Sequence, residues 1–218
     1  MVTEQVLATV PLFMDLPVEQ LAALARCATR RGYPRGSVIL NAREPADGFN
    51  VILAGRAKAL IPDDEGHEII LSILGPHDFF GEFGLLDGLP CSASVVSLEP
   101  CELIRIAKAD FTSCLSDSFE LTMRVMRGLV KRLRAADRQI ESLALMSVRE
   151  RVARLLLDLA TPVNGHQVVL AAPSKIQIAR MIGASREMVS RTLKAMRAAG
   201  NIRVEKHRII LGGESVAR

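Results

Sequence analysis

A short stretch near the end of the chain, SREMVSRTLK at residues 185–194, concentrates side chains that form directed hydrogen bonds. At helical spacing one face carries Arg186, Glu187, Ser190, Arg191 and Lys194, while Val189, Leu193 and Met196 share another. An arginine can donate two hydrogen bonds to O6 and N7 of guanine, and a glutamate can accept one from N4 of cytosine. This face therefore predicts a helix that reads base edges in the major groove of double-stranded DNA.

Two short helices around a turn are needed to present that face. Ser174, after Pro173, is a good N-cap for the first helix, whose buried side is predicted to be Ile176, Ala179 and Ile182. The residues Gly183-Ala184-Ser185 form the turn, Ser185 caps the second helix, and Gly200 ends it. The pattern predicts a helix-turn-helix. Its contacts to DNA are expected to include the residues at the two helix starts, Ser174, Lys175 and Ser185.

The segment IRVEKHRIIL at residues 202–211 alternates apolar and polar residues on both sides of a polar turn. This pattern predicts a β-wing, and Lys206, His207 and Arg208 at its tip are expected to meet DNA phosphates. The alternative interpretation of the base-reading helix is an amphipathic surface helix of mixed charge.

Charge is distributed unevenly along the chain. Residues 144–218 hold 13 Lys/Arg and 5 Asp/Glu, a net charge of +8, whereas residues 1–143 have a net charge of −4. A basic block behind a mildly acidic body indicates a polyanionic partner for the C-terminal part.

Other types of chemistry find little support in the sequence. The four cysteines form no C-x-x-C pair, and the four histidines are isolated and match no metal motif. We therefore expect no catalytic residues and no metal site, and a cyclic-nucleotide hydrolase is a remote alternative. The N-terminus shows no secretory signal, and no apolar run approaches the ~18 residues of a membrane span. These features predict a cytoplasmic protein without membrane contact.

The N-terminal half supplies the elements that would sense a signal. Residues 12–31 are predicted to form short amphipathic helices with Leu21, Leu24 and Ala25 on one face. From Ser37 to Ala107, short β-type runs alternate with turn signals, which predicts an antiparallel sandwich or barrel. Within it, the segment GEFGLLDGLPCSASVV at residues 81–96 places Glu82 and two serines among apolar residues, as a pocket does.

A long helix follows the strands. An almost wholly apolar series repeats with spacings of three and four residues: Phe119, Thr122, Met126, Leu129, Leu133, Ala136, Ile140 and Leu143. Such a heptad seam predicts a homodimer through residues 118–143, with a core helix against the strands as the alternative. A further helix is predicted over about 147–160. We expect three regions: a sensing domain at 1–117, a dimerisation helix and hinge at 118–145, and a DNA-binding domain at 146–218.

This order of parts resembles the family of cyclic-AMP receptor proteins and fumarate–nitrate regulators, over about Leu12 to Leu211. The match is close in SREMVSR, where Arg186, Glu187 and Arg191 lie at the base-reading positions of the cyclic-AMP branch. The resemblance implies an α+β fold with an N-terminal antiparallel β-roll, a coiled-coil dimerisation helix and a C-terminal winged helix-turn-helix. It also implies a transcription regulator whose partners include RNA polymerase.

Residues 81–96 resemble the phosphate-binding cassette of that family, and we call them the cassette. There the positions of Gly81 and Glu82 hold the ribose, and an Arg-Ser pair holds the phosphate, but this chain has Cys91-Ser92. The family's Thr-Ser pair on the dimer helix is Ala136-Asp137 here. A neutral thiol cannot replace a charged contact to phosphate.

Several effectors remain open after these departures from the family pattern. A nucleotide could be held by Glu82, Ser92 and the cassette amides, with Arg134 and Arg138 replacing the lost positive charge. Cyclic AMP or the larger cyclic di-GMP would then be the reversible ligand, and Asp137 would lie beside it. The alternatives are a vestigial cassette without a ligand, a haem signal through His77, or a redox signal through Cys91.

Overall fold

Two four-stranded antiparallel sheets form the N-terminal part of the protein in the computed structural model, which describes residues 2–62, 68–205 and 208–212. The chain divides into two compact units, Met1–Leu133 and Arg134–Arg218. The elements of the first unit are α1 (Glu4–Ala8), α2 (Val18–Cys27), β1 (Ala28–Tyr33), β2 (Val38–Leu40), β3 (Gly48–Ala54), β4 (Ala57–Pro62), β5 (Glu68–Leu74), β6 (Phe79–Phe80), α3 (Glu82–Leu86), β7 (Ser94–Ser97), β8 (Cys101–Ala107) and α4 (Lys108–Asp117). Helix α5 (Phe119–Leu145) runs through the boundary between the units.

The strand orders are β1-β8-β3-β6 and β2-β7-β4-β5. Apolar side chains of both sheets pack into one cluster, in which Ile52 and Leu103 from the first sheet meet Ala57 and Val95 from the second. The arrangement confirms the antiparallel sandwich expected from the alternating runs. A second cluster lies under α2, α4 and α5, where the rings of Phe49 and Phe111 stack with centroids 3.9 Å apart.

The prediction of helices over 12–31 was wrong at both ends, because residues 12–17 form turns and irregular backbone before α2 begins at Val18. The helix α2 ends at Cys27, and residues 28–31 belong to β1, which pairs with β8 from Ala28↔Ile106 to Tyr33↔Cys101. The partner strand lies about seventy residues further along the chain, so this pairing has no local signal. Strand β6 and helices α3 and α4 were not predicted either.

The predicted face of α2 and the long helix are present. Leu24 is buried, with Leu21 and Ala25 packed against the same cluster. Along α5 the seam side chains are largely exposed in the single chain, including Phe119 at 79%, Leu133 at 63% and Ile140 at 65%. Exposed apolar side chains at this spacing favour pairing with a second helix.

The second unit contains the distal part of α5 and the elements α6 (Val148–Leu159), β9 (Thr161–Val163), β10 (His166–Val169), α7 (Lys175–Ile182), α8 (Arg186–Ala198), β11 (Ile202–Glu205) and β12 (Arg208–Leu211). Its strands form one antiparallel sheet in the order β11-β12-β10-β9. The hairpin β9–β10 turns at Asn164-Gly165, both with positive φ, a sequence that suits a tight hairpin turn. On α7 the predicted burial of Ile176 was wrong: it is 44% exposed, and Ile178 is buried in its place.

Candidate functional site

The cassette begins at a glycine that no other residue can replace without strain. Gly81 has φ of 89°, and a Cβ there would lie 2.6 Å from the carbonyl oxygen of Gly48. The chain enters from the buried β6 and leaves into the short helix α3. Gly81 thus packs closely against β3, and the next side chain, Glu82, points into the interior.

Glu82 is almost completely buried, and its partner is Arg132 on the proximal part of α5. The Arg132 guanidinium donates to Glu82 Oε1 and to the carbonyl oxygen of Phe79, and it lies 4.6 Å from the centroid of the Phe79 ring. Burial raises the pKa of the Glu82 carboxyl, and the opposing effect of Arg132 does not cancel it. One ion pair therefore ties the cassette to the helix that carries the apolar seam.

Sequence reasoning missed this role of Arg132. Its only signal was indirect, because a buried carboxylate requires a cation or several donors. The two residues are fifty positions apart, and α5 carries several other arginines at helical spacing. The candidates named from the sequence, Arg134 and Arg138, are exposed, as is Asp137, and all three belong to the second unit. Their contribution to an effector site stays a prediction.

Cys91 has a different environment from the one expected of a phosphate contact. Its side chain is 7% exposed and packs in the apolar cluster beneath the cassette. Its backbone amide donates to the Glu44 carbonyl and its carbonyl accepts from Arg43, both at 2.8 Å. Burial raises the pKa of the thiol, which opposes the thiolate that a redox sensor needs. Ser92 beside it is exposed.

Helix α8 is capped and oriented as the sequence predicts. Ser174 and Gln177 form a capping box at the start of α7, and Ser185 Oγ accepts from the Met188 amide at 3.2 Å at the start of α8. Val189 and Met196 are buried. The predicted base-reading side chains Arg186, Glu187, Arg191 and Lys194 are all exposed.

Two of the other predicted DNA contacts are bonded to each other. Lys175 Nζ donates to Ser190 Oγ at 3.0 Å, which joins the start of α7 to the middle of α8. The hydroxyl of Ser190 accepts this bond and keeps its own proton available as a donor. Lys206 and His207 lie outside the described residues, so the predicted wing contacts remain predictions.

The end of α7 is held by donors from two other helices. Arg151 Nη1 on α6 donates to the Ile182 carbonyl at 2.7 Å, and Gln139 Nε2 on the distal part of α5 donates to the Met181 carbonyl at 3.4 Å. At the following turn, Gly183 has φ of 61°, and a Cβ there would lie 3.0 Å from Leu143 Cδ2. These three contacts fix the turn that positions α8 within the second unit.

Within the described parts of the chain, no group of three or more His, Cys, Asp or Glu side chains is arranged to bind a metal ion. None of the described helices is both long and apolar enough to cross a membrane.

Comparison with known proteins agrees with both halves of this geometry. Residues 30–118 match the cyclic nucleotide-binding domain, and residues 150–212 match the Crp-like helix-turn-helix domain. A CRP-like cAMP-activated global transcriptional regulator of Mycobacterium tuberculosis is 30% identical over 99% of this chain and 98% of its own length. The cAMP-activated global transcriptional regulator Vfr of Pseudomonas aeruginosa is 34% identical over 87% of this chain and 92% of its own.

Among solved structures, the c-di-GMP responsive global regulator CLP of Xanthomonas campestris superposes with a TM-score of 0.76 at 24% identity, covering 91% of this chain and 100% of that one. At this identity the similarity concerns the fold. The two matched domains and the nearly full-length relatives confirm the resemblance seen in the sequence. The chain belongs to the CRP-like family of cyclic-nucleotide-binding transcription regulators.

Proposed function

We propose that this regulator is a homodimer that binds an inverted-repeat DNA site and is gated by a nucleotide held in its cassette. The observation that carries the proposal is the buried Glu82–Arg132 pair. It links a carboxylate of the cassette directly to a side chain of α5. A ligand that competes for Glu82 would change how Arg132 holds α5. The α5 seam and the exposed face of α8 support the dimer and the DNA contacts.

Cyclic AMP is the first candidate effector. The Mycobacterium tuberculosis and Pseudomonas aeruginosa relatives, at 30% and 34% identity, are named as cAMP-activated, whereas the c-di-GMP responsive neighbour shares the fold at 24% identity. Arg132 binds Oε1 of Glu82, and we assign a ribose hydroxyl to the other carboxylate oxygen. Cyclic di-GMP is the alternative nucleotide.

The redox and haem alternatives lose support from the described residues. The Cys91 thiol is buried with a raised pKa, and His77 is an exposed turn residue with φ of 72°. A ligand-free regulator with a vestigial cassette is the remaining competitor.

Calorimetric titration with cyclic AMP, cyclic GMP and cyclic di-GMP tests the effector. A charged hydrogen bond contributes about 1.5–3 kcal/mol, so Glu82→Gln should weaken the bound nucleotide at least tenfold. Glu19→Gln, which removes an exposed carboxylate on α2, is the matched control and should bind like wild type. If wild type binds none of the three nucleotides and still selects a specific duplex, the cassette is vestigial.

Selection from random duplexes, followed by footprinting, tests the DNA site. Two α8 helices related by a parallel pair of α5 helices should enter successive major grooves about 34 Å apart. Arg186→Ala should then cost about 1–3 kcal/mol and relax the preference at one base pair in each half-site. A single asymmetric half-site bound at full affinity would contradict the dimer. RNA polymerase is the partner through which the bound dimer would act on transcription.

The seam is tested separately. Leu133→Asp places a charge in the proposed helix pair and should give a monomer that no longer binds the inverted repeat. Asp137→Ala, a change of charge on α5 outside the seam positions, should leave the dimer intact. Sedimentation velocity distinguishes the two states.

A further inference from the structure

The charge of the cassette is unsuited to an anion. Residues 81–96 contain no Lys or Arg, and their only ionisable acids are Glu82 and Asp87. A nucleotide phosphate carries a negative charge, and like charges at close range repel each other. The cation that would balance a bound phosphate must therefore come from another element.

The loop between β2 and β3 runs along the cassette and is bonded to it at three points. The Ala42 amide donates to Ser94 Oγ at 2.9 Å, the Arg43 amide donates to the Cys91 carbonyl at 2.8 Å, and the Cys91 amide donates to the Glu44 carbonyl at 2.8 Å. Two loop residues, 43 and 44, thus lie opposite the single residue Cys91. This is the arrangement of a β-bulge.

Arg43 occupies the first position of this bulge with φ of 68°. In a bulge of this kind that position usually holds glycine, because an L side chain is strained at positive φ. Arg43 is also exposed, so its side chain can be reached by a ligand from solvent. The loop therefore holds a long cationic side chain at a backbone conformation that disfavours it, next to the exposed Ser92.

Three other cations reach the cassette or its flank at different points. Arg132 contacts Glu82, Lys108 Nζ donates to the Gly84 carbonyl at 3.3 Å, and Arg105 pairs with Asp47 at 2.5 Å. These contacts lie at the α3 side and at the start of β3. Arg43 differs from them because its main chain is bonded to Cys91 itself.

We propose that Arg43 is the phosphate-binding residue of the effector site, acting with the hydroxyl of Ser92 on the phosphodiester of the nucleotide. This inference rests on the proposed function and adds its anion contact. A guanidinium presents paired donors that match two phosphate oxygens.

The test compares wild type with Arg43→Gly and Arg43→Gln, and uses Arg35→Gln as the matched control. Arg35 is an exposed arginine of the same unit, in the turn before β2, so its loss changes the net charge equally. The probes are cyclic AMP, cyclic di-GMP and the uncharged nucleoside adenosine. The readouts are dissociation constants from calorimetry at low and high salt, and thermal unfolding midpoints without ligand.

We expect both Arg43 variants to weaken the cyclic nucleotide at least tenfold and to leave adenosine binding unchanged. Arg43→Gly should also raise the unfolding midpoint, because glycine relieves the strain at positive φ, whereas Arg43→Gln should not. Loss of nucleotide affinity in a more stable protein cannot come from damage to the fold. The Arg35 variant should behave as wild type in both measurements.

Two results overturn the proposal, and they differ from each other. Suppose that wild type binds a cyclic nucleotide and both Arg43 variants bind it equally well, or that their affinity for adenosine falls as much as their affinity for the cyclic nucleotide. Arg43 is then not the phosphate contact, and the proposed function stands. If wild type binds neither cyclic nucleotide, the gated function fails and this inference fails with it.

Discussion

The contact of α5 with the β-roll at Gly128 leaves no room for a side chain. A Cβ at this position would lie 2.5 Å from Cζ and 2.7 Å from Cε1 of the Phe79 ring. The ring has little freedom to retreat, because Phe49 lies on one side with centroids 5.3 Å apart and the Arg132 guanidinium lies over it. The substitution Gly128→Ala therefore forces either the ring or the helix to move.

Two effects of opposite sign determine the stability of this variant. Inserting a methyl group into a packed contact costs about 1–3 kcal/mol. Replacing glycine by alanine inside a helix returns about 1 kcal/mol. The net expectation is a loss of about 0–2 kcal/mol in the free energy of unfolding, together with weaker nucleotide binding, because Arg132 follows the helix away from Glu82.

Urea denaturation of four proteins separates the two effects. They are wild type, Gly128→Ala, Phe79→Leu and the double variant. In the Phe79→Leu background the clash is reduced, so Gly128→Ala should stabilise, and the coupling between the two sites should reach about 1–3 kcal/mol. Ala135→Gly, at an exposed position of α5, calibrates the helix term. If Gly128→Ala stabilised the wild-type protein by as much as Ala135→Gly destabilises it, the close contact with Phe79 would be refuted.

Four further outcomes are expected. Arg132→Met should destabilise the fold by about 1–3 kcal/mol in denaturant titration, because it leaves the Glu82 carboxylate buried without its cation. The raised pKa of Glu82 means that its stabilising contribution is fully present below its ordinary value of 4.5 and is lost as the pH rises through the raised value, so Glu82→Gln should flatten the stability profile in that window. Burial and the neighbouring Cys27 thiol raise the pKa of Cys114 to about 11. Iodoacetamide should therefore alkylate this thiol slowly at pH 8 and about tenfold faster at pH 9, and mass spectrometry measures the two rates. Ser174→Ala removes the cap of α7 and should lower stability by about 1 kcal/mol, whereas a change below 0.2 kcal/mol would show that this helix start does not depend on its cap.

Features with local causes were predictable from the sequence. The caps at Ser174 and Ser185, the turn at Gly183 and the burial of Val189 and Met196 follow from residue types a few positions apart. The exposed face and the buried face of α8 therefore follow from the sequence without any tertiary information. The alternating runs between Ser37 and Ala107 also predicted the antiparallel strands of the β-roll.

Features that depend on distant residues were not predictable. Strand β1 exists because β8 offers it a backbone partner, and Glu82 meets Arg132 because α5 packs against the roll. The ligand position predicted for Cys91 rests on the family resemblance alone, and its side chain points into the apolar cluster. The direction of the Cys91 side chain depends on how its backbone pairs with residues 43 and 44, and the sequence alone does not specify that pairing.

The donors that hold the end of α7 also determine where this protein can be divided into exchangeable modules. Met181 and Gly183 are supported by Gln139 and Leu143, which precede the end of α5 by only a few residues. A recombination event that joined a foreign sensor after Leu145 would discard both supports and leave the Met181 carbonyl without this donor. A junction before Arg134 would transfer the helix-turn-helix domain together with the part of α5 that supports it. Exchange of N-terminal domains in proteins built this way should therefore favour junctions in the middle of α5 over junctions between α5 and α6.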